Sequence, residues 1–324
     1  MRKQIAIIEG GYSHEEIISR KSAKTIFEHI DTSKYNPISV SIDAKGWFAI
    51  IDEQKYTIDK NSFSYTKDNT PYTFDYAYIV IHGTPGEDGK LQAYFDMLHI
   101  PYSTSSQLAS TLTFNKYVCN QFLSTFDINV AQSVLVRKNE TYNKEQIIAK
   151  LGIPCFVKPT DGGSSFGVTK VTNIDQLDEA IKLSLQHGTE AILESFLSGI
   201  EVTNGIYRTN QGFFPLSVAE VETNNDFFDF NAKYKGESNE IIPARITDEL
   251  TQQIKNTTLK VAKILDLKGI CRIDYIIIGN TPYLIEVNTI PGMSKESFVP
   301  QMLEYENISL KKLLSEIIEI SVQD

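Results

Sequence analysis

Two strand-like segments near the C-terminus carry side chains that suit metal and phosphate chemistry. Arg272 and Asp274 lie in the first segment, and Glu286 and Asn288 lie in the second. Side chains two residues apart in a strand point to the same face, so each segment places both polar side chains on one face. Carboxylate and amide oxygens are ligands that Mg²⁺ prefers, and a guanidinium beside them would neutralise charge in a transition state. The spacing predicts a Mg²⁺ site that holds the phosphates of ATP.

The alternative for this hairpin is a solvated pair of strands with surface ion pairs. The apolar residues between the charged ones argue against it, because they indicate a buried sheet in which charges need partners. The turn that follows, Thr289–Ser294, contains Gly292. A glycine there would let a backbone N–H approach an oxyanion closely.

A stretch rich in glycine and serine, Pro159–Gly167, follows Lys158. Such loops hold phosphates through backbone N–H groups, and Lys158 would add a positive charge. The stretch is not a Walker A loop, because no Gly-Lys-Ser/Thr opens a helix, and taken alone it fits a flexible linker equally well. Lys116 is a candidate for a second phosphate cation, although a lone lysine is usually solvated.

The loop after the first predicted strand, Gly10–Glu15, lies where an α/β fold binds ligands. It lacks the GxGxxG pattern, so dinucleotide binding is not supported. The Glu15 carboxylate suits an ammonium group instead. His82 ends another predicted strand and would face the same crevice, but a hydrogen-bonded structural role is an equal alternative.

The elements that must position these residues alternate between strand and helix in the first third of the chain. This pattern predicts a doubly wound α/β unit with ligand loops at the carboxyl ends of its strands. The polar stretch Asn61–Thr73 reads as a surface excursion, and the aromatic, polar stretch Phe227–Glu240 reads as a lid. The predicted strands are Gln4–Ile8, Pro37–Ile42, Tyr76–Ile81, Cys155–Lys158, Glu190–Glu194, several within 202–222, Gly269–Ile278 and Pro282–Glu286. The predicted helices are Glu15–His29, Leu112–Phe126, Ile174–His187, Thr247–Leu265 and Ser309–Val322.

Length, charge and cysteine usage exclude several classes of protein. A chain of 324 residues predicts two or three domains. A net charge of −10 argues against nonspecific nucleic-acid binding, and no apolar run is long enough to cross a membrane. The N-terminal apolar stretch is short and reads as a buried strand rather than a signal peptide. Three scattered cysteines, Cys119, Cys155 and Cys271, argue against a disulfide framework and favour a reducing, cytoplasmic location.

Taken in order, the motifs resemble the D-alanine–D-alanine ligases of the ATP-grasp superfamily, from Ile5 to about Val299. VKP, RID and E-x-N alone would indicate only ATP-grasp, whereas GG-x-S-x-E, HG-x-x-GEDG and NT-x-PGM are far more specific. The matching stretches, besides the one around Lys116, are EGGYSHEEIIS, IHGTPGEDGKLQ, FVKPTDGGSSFGVTKV, ESFLSGIEVT, FNAKYKG, CRIDYI and IEVNTIPGMSKESFVP.

The resemblance implies an α/β (α+β overall) ATP-grasp fold with an N-terminal Rossmann-like parallel-sheet domain. The domains would be residues 1–105 (substrate), 106–200 (central ATP-grasp) and 201–324 (C-terminal ATP-grasp, with metal site and lid). It implies ATP-dependent ligation of two D-alanine molecules through an acyl phosphate, for peptidoglycan precursors. The cofactor would be two Mg²⁺ ions, with Mn²⁺ able to replace them. A homodimer is expected, with neither nucleic acid nor membrane as partner.

Site roles are implied by the same resemblance. Ser164 and Tyr234 would hydrogen-bond with Glu15 and close the lid. The substrate ligands would be Glu15, His82, Arg272, Gly292, Ser297 and Phe298, with Arg272 and Gly292 on the oxyanion. The nucleotide ligands would be Lys116, Lys158, Ser164, Ser165, Glu194, Phe196, Leu197, Glu201, Lys233 and Asn288. The metal ligands would be Asp274, Glu286 and Asn288.

The chain departs from the family pattern at two positions: Ser195 stands where many members have lysine, and Phe298 stands where many have leucine. The departures bear on one adenine contact and on the shape of the second substrate site. Alternative functions are another ATP-grasp carboxylate–amine ligase, a D-alanine–D-lactate ligase, or a silent ATP-binding module. By resemblance, Tyr234 goes with the dipeptide enzyme. The full metal and arginine set argues against a silent module.

Overall fold

The computed structural model describes residues 2–163, 166–223 and 238–321. The first part of the chain is an α/β unit. Its sheet has the order β4-β3-β2-β1-β7, with β1 parallel to β2 and β7, and with β3 and β4 antiparallel at one edge. The elements are β1 (Lys3–Gly10), α1 (Glu16–His29), β2 (Tyr35–Asp43), β3 (Gly46–Ile51), β4 (Gln54–Thr57), β5 (Ser64–Lys67), β6 (Thr70–Thr73), β7 (Tyr76–Ile79) and α2 (Lys90–Leu98). The predicted parallel sheet is confirmed at its centre, whereas the two antiparallel edge strands were not predicted.

Helices cover both faces of this sheet, as a doubly wound unit requires. Ile7 packs in one core cluster with Ile26 of α1, and its neighbour Ile8 packs in another with Leu91 and Phe95 of α2. All five side chains are at most 1% exposed. The cause is the alternation along β1, which sends successive apolar side chains to opposite faces.

The polar stretch Asn61–Thr73 is a hairpin at the surface, as predicted, but two of its aromatic side chains are buried. β5 pairs with β6, and Phe63 is fully buried while Tyr65 is 5% exposed. The Phe63 ring lies 5.1 Å from that of Phe74 and 4.8 Å from that of Phe95. Two aromatic residues in a polar stretch were enough to anchor it on the N-terminal sheet.

The middle of the chain forms a four-stranded antiparallel sheet, in the order β10-β9-β11-β8. The predicted helix Leu112–Phe126 is two helices, because the Asn115 side chain accepts a hydrogen bond from Val118 N (3.0 Å) and starts a new helix at Lys116. The elements are α3 (Gln107–Phe114), α4 (Lys116–Ser124), β8 (Ser133–Arg137), α5 (Lys144–Leu151), β9 (Cys155–Pro159), β10 (Thr169–Val171), a 3₁₀ turn (Ile174–Gln176), α6 (Leu177–His187) and β11 (Glu190–Ser195).

The last part forms a five-stranded antiparallel sheet in the order β14-β13-β12-β15-β16. Most of the predicted lid falls outside the described residues, and its end belongs to β14. The elements are β12 (Ile200–Thr209), β13 (Gly212–Thr223), β14 (Ser238–Ile241), α7 (Asp248–Ile264), β15 (Ile270–Ile278), β16 (Thr281–Asn288), α8 (Phe298–Tyr305) and α9 (Leu310–Ser321).

The two C-terminal helices return to the N-terminal sheet. Met302 of α8 and Ile317 of α9 share a core cluster with Ile7 and Ile26, and Tyr76 donates a hydrogen bond to Ser321 Oγ at 3.2 Å. The C-terminal and N-terminal sheets are thereby held together. Domain boundaries near residues 105 and 200 stay a prediction. Across the described ranges, no helix is both long and apolar enough to span a membrane.

Candidate active site

A cavity of about 490 Å³ lies between the three parts of the chain, and its wall gathers residues from each of them. Ser164, Ser165, Lys233 and Tyr234 lie outside the described residues. The predicted site residues that line the cavity are Glu15, His82, Lys116, Lys158, Glu194, Leu197, Glu201, Arg272, Asp274, Glu286, Asn288, Gly292, Ser297 and Phe298.

Phe196 is the described site residue that is absent from the cavity wall. Its ring packs 5.8 Å from that of Phe156, with Lys170 Nζ 4.7 Å from the Phe196 ring centroid. Phe156 itself lines the cavity. Phe196 follows β11 and contacts Phe156, so Phe156 rather than Phe196 stands in the cavity wall.

The β15–β16 hairpin brings its four polar side chains together as the alternation predicts. Arg272 pairs in register with Asn288, and Asp274 pairs with Glu286. Arg272 donates two hydrogen bonds of 2.9 Å to the Asp274 carboxylate. Asn288 Nδ2 donates to Asp274 at 3.1 Å, and Thr203 Oγ1 donates at 2.6 Å. Asp274 is therefore fixed by three side chains on three strands.

The donor set fits a divalent metal that is shared with a ligand. Asp274 and Glu286 offer carboxylate oxygens, and Asn288 offers an amide oxygen while its nitrogen is held by Asp274. Within 2–163, 166–223 and 238–321, no group of three or more His, Cys, Asp or Glu side chains forms a metal cage. Mg²⁺ is commonly held by one or two carboxylates together with substrate phosphates, so this pattern suits a nucleotide-bound Mg²⁺.

Lys116 and Lys158 both face the cavity in ion pairs. Lys116 Nζ lies 3.3 Å from Glu286 Oε2 and donates to the Gly162 oxygen at 2.7 Å. Burial disfavours the Lys116 charge, but the surrounding carboxylates, with Glu286 first among them, together outweigh burial and raise the pKa of Lys116 above its usual value. Lys158 Nζ lies 2.5 Å from Glu194 Oε2. A solvated surface role is therefore wrong for Lys116.

The glycine-rich loop closes directly on Glu15. A Cβ atom built on Gly163 would lie 2.5 Å from Glu15 Oε2, so a larger residue here would displace the Glu15 carboxylate. Ser13 Oγ accepts from Glu15 N at 3.2 Å and donates to the His82 oxygen at 3.0 Å. This small network holds the loop Gly10–Glu15 against the segment that follows β7.

His82 lies in the same crevice and is only 6% exposed. Its Nε2 lies 3.4 Å from Ser22 Oγ, which accepts from Met293 N at 3.0 Å. Burial lowers the pKa of His82 below its usual value. A neutral imidazole in this position can hydrogen-bond to a ligand without adding charge, and it also ties α1 to the turn after β16.

Gly292 and Ser297 form the wall beside Arg272. A Cβ on Gly292 would lie 2.7 Å from Ser297 Oγ, so a larger residue here would displace this hydroxyl. Ser294 and Ser297 hydroxyls are 3.0 Å apart. The Arg272 guanidinium lies 5.7 Å from the centroid of the Phe298 ring, within cation–π range. Phe298 thus helps to hold the arginine.

Glu87 is a cavity residue that the sequence reasoning missed. Its Oε2 accepts from Gly83 N at 2.6 Å. Burial of the carboxyl, followed by the nearby Glu15 carboxylate, raises the pKa of Glu87 to about 8. Its signal in the sequence is its place in the GEDG motif, which indicates the family but no role for this residue.

Comparisons with known proteins show the family of this chain. Models described as D-ala D-ala ligase N-terminus and D-ala D-ala ligase C-terminus match residues 4–105 and 122–319. The chain belongs to the D-alanine–D-alanine ligase family. A relative from Parabacteroides distasonis named D-alanine–D-alanine ligase is 48% identical over 323 residues, which cover 98% of this chain and 97% of that protein.

Solved structures of ligases share the architecture. The VanG D-Ala:D-Ser ligase from Enterococcus faecalis superposes with a TM-score of 0.90 and 30% identity, over 99% of this chain and 100% of that chain. The D-alanine–D-alanine ligase from Bacillus anthracis complexed with ATP gives a TM-score of 0.79 and 26% identity, over 99% and 98%. The family and the ATP-grasp fold inferred from the motifs are therefore confirmed.

Proposed function

We propose that the protein uses ATP to join two D-alanine molecules into D-alanyl-D-alanine, for peptidoglycan precursors. The observation that carries this proposal is the single cavity. It combines an ammonium-binding carboxylate, Glu15, with the phosphate cations Lys116 and Lys158. The same cavity contains the Asp274–Glu286 metal hairpin with Arg272.

The first step is attack of the first D-alanine carboxylate on the γ-phosphate, which forms an acyl phosphate and ADP. Glu15 binds the substrate ammonium, and neutral His82 beside it hydrogen-bonds to the same substrate. Lys116 and Lys158 bind the phosphates. The Lys158 ammonium has three donors, so it can donate to a phosphate while it stays paired with Glu194. Charge neutralisation and positioning supply most of the rate enhancement in phosphoryl transfer.

Asp274, Glu286 and Asn288 would hold the metal, which we propose to be two Mg²⁺ ions, with Mn²⁺ able to replace them. Mg²⁺ bound there would neutralise charge on the phosphates. The tight hydrogen bonding of Asp274 by Arg272, Thr203 and Asn288 supports this role, because ligands must be oriented before the metal binds.

The second step is attack of the amine of the second D-alanine on the acyl phosphate, with release of phosphate. Arg272 and the Gly292 N–H stabilise the oxyanion, and Ser297 and Phe298 contact the second D-alanine. Water must be excluded, since it would hydrolyse the acyl phosphate. We assign this cover to the lid, which Tyr234 and Ser164 would close by hydrogen bonds with Glu15. We assign contact with the transferred phosphoryl to Lys233, and contact with the nucleotide to Ser165.

Glu194, Leu197 and Glu201 line the cavity, and we assign the nucleobase to the part beside them. Glu194 offers hydrogen-bond acceptors at a buried position, and Leu197 adds apolar surface. We propose that adenine binds here and that Glu201 binds the ribose. Phe156, which lines the cavity and contacts Phe196, would lie beside the adenine.

The decisive experiment measures phosphate release from ATP with D-alanine, D-serine, D-lactate and other D-amino acids, together with product identification. We expect D-alanyl-D-alanine as the main product across pH 7–9, with little D-alanyl-D-lactate. Tyr234→Phe should slow dipeptide synthesis without creating depsipeptide activity, because it removes a neutral hydroxyl rather than adding a cation. Equal dipeptide and depsipeptide formation at pH 7 would refute the specificity, and no D-alanine-dependent turnover would refute the function.

We also propose a homodimer working in the cytoplasm. Met97 of α2 and Leu108 at the start of α3 are 74% and 70% exposed and supply apolar surface for a contact between two copies. The three cysteines are unpaired and buried, as suits a reducing compartment. Light scattering of the parent and of Met97→Glu tests the dimer: a parent that is a monomer at micromolar concentration would refute it.

A further inference from the structure

Asn120 is a deeply buried polar side chain that no sequence motif singled out. It lies on α4, one helical turn after Lys116, and is 1% exposed. Its Nδ2 donates to Glu194 Oε1 at 3.3 Å and to the Ile285 main-chain oxygen at 3.4 Å. Its Oδ1 has no hydrogen-bond partner in the part of the chain that the structure describes.

The two neighbours fix which way the Asn120 amide points. Turning it by 180° would set Oδ1 against the Glu194 carboxylate and the Ile285 carbonyl, both of which can only accept. The amide therefore donates to Glu194 and leaves its oxygen unsatisfied. A buried acceptor without a partner destabilises a fold, so an apolar residue would suit a purely structural position better.

Glu194 is consequently held from two sides. Asn120 donates to Oε1, and Lys158 Nζ lies 2.5 Å from Oε2. Glu194 is 6% exposed and lines the cavity with the apolar side chains of Phe156 and Leu197. A carboxylate accepts about four hydrogen bonds, so an oriented Glu194 keeps lone pairs for a ligand that lies flat among these apolar groups.

We propose that Asn120 is a positioning residue that makes the site select adenine, by holding Glu194 as the acceptor for an exocyclic amino group. The inference rests on the proposed function, which puts the nucleobase against Glu194. Adenine presents an N–H₂ group where guanine presents a carbonyl oxygen, and that oxygen would meet the carboxylate of Glu194 without a proton between them. Asn120 acts through Glu194, because its own oxygen is shielded from the cavity.

The test compares the binding of ATP and of GTP by calorimetry, with Mg²⁺ present, in the parent and in Asn120→Leu. We expect the parent to prefer ATP by at least about tenfold, the range of one hydrogen bond to a charged group. Asn120→Leu should lose about tenfold in ATP affinity and little in GTP affinity, so that the preference largely disappears. The KM for D-alanine and the kcat at saturating ATP should stay near the parent values.

Asn204 provides a matched control. It is also fully buried, donates from Nδ2 to the Leu216 oxygen at 2.7 Å, and leaves its Oδ1 without a partner among the described residues. It lies on β12 and does not line the cavity. Asn204→Leu should change the Tm while leaving the ATP preference intact.

If Asn120→Leu fails to fold, Glu194→Gln is the second variant. The carboxamide of this variant can turn an N–H toward the guanine oxygen, so we expect the variant to bind GTP more tightly than the parent does. The inference is overturned by a parent that binds ATP and GTP equally. It is also overturned if Asn120→Leu, or Glu194→Gln in its place, keeps the full ATP preference. A protein that prefers ATP but makes no dipeptide would refute the proposed function and leave this inference standing.

Discussion

Glu87 gives a sharp test of the electrostatics in the cavity. Burial and the Glu15 carboxylate raise its pKa to about 8, from an ordinary 4.5. In the unfolded chain the group loses its proton near its ordinary pKa. Between these two pH values the folded state therefore holds a proton that the unfolded state has released, and the free energy of unfolding decreases as the pH rises. Above about pH 8 this contribution levels off.

Glu87→Gln removes the ionisation and keeps an oxygen that accepts from Gly83 N. One pKa unit corresponds to about 1.4 kcal/mol, so the shift bounds the effect at about 5 kcal/mol, and partial solvent contact reduces it to roughly 2–4 kcal/mol. The variant should match the Tm of the parent near pH 5. At pH 8 its Tm should be higher by roughly 4 °C or more, since about 2 °C accompanies each kcal/mol in a large domain.

The measurement is differential scanning calorimetry from pH 5 to 9, without nucleotide or metal, because added cations would change the charge balance in the cavity. Glu304→Gln, a substitution of an exposed carboxylate on α8, is the matched control. A Tm difference for Glu87→Gln that does not change with pH would show that this carboxyl titrates in its ordinary range. A lower Tm at pH 8 would reverse the sign of the argument.

Three further predictions concern activity. Arg272→Ala should reduce the rate of ligation ~10²–10³-fold, the usual effect of losing one oxyanion stabiliser, while its circular dichroism spectrum stays that of the parent. A steady-state rate within a few-fold of the parent would rule out the assigned role. Glu286→Gln should weaken Mg²⁺-dependent turnover much more than nucleotide binding measured without metal, and equal losses would make Glu286 structural. Gly163→Ala should raise the KM for D-alanine by about tenfold or more, because its Cβ would lie 2.5 Å from Glu15 Oε2. Gly162→Ala should leave this KM unchanged, because its Cβ would lie at least 3.5 Å from its neighbours. Equal KM values for the two variants would contradict the close approach.

Short two-residue turns explain which strands escaped prediction. The turn between β3 and β4 is Asp52-Glu53, and the turn between β5 and β6 is Asp68-Asn69. All four residues have positive φ between 50° and 65°, a conformation usually marked by glycine. Without glycine these turns carried no clear hairpin signal. Packing of the aromatic cluster around Phe63 holds these strands in place. Such packing joins residues that are distant in the sequence, so the local sequence does not indicate it.

The residues 272–288 show what the sequence determined by itself. Strand alternation depends only on the local backbone, so placing Arg272 with Asp274, and Glu286 with Asn288, needed no knowledge of the rest of the fold. The order of the motifs was likewise sufficient for the family. The site roles of Ser164, Lys233 and Tyr234 rest on that resemblance and stay predictions.

Only the tertiary structure decided which distant residues face each other. Lys116 pairs with Glu286 at a separation of 170 residues, and Asn120 donates to Glu194 across 74 residues. The perturbed pKa of Glu87 arises from the same enclosure. Burial, ion pairing and desolvation depend on the distances between charges from three separate sheets, and no local pattern along the chain encodes those distances.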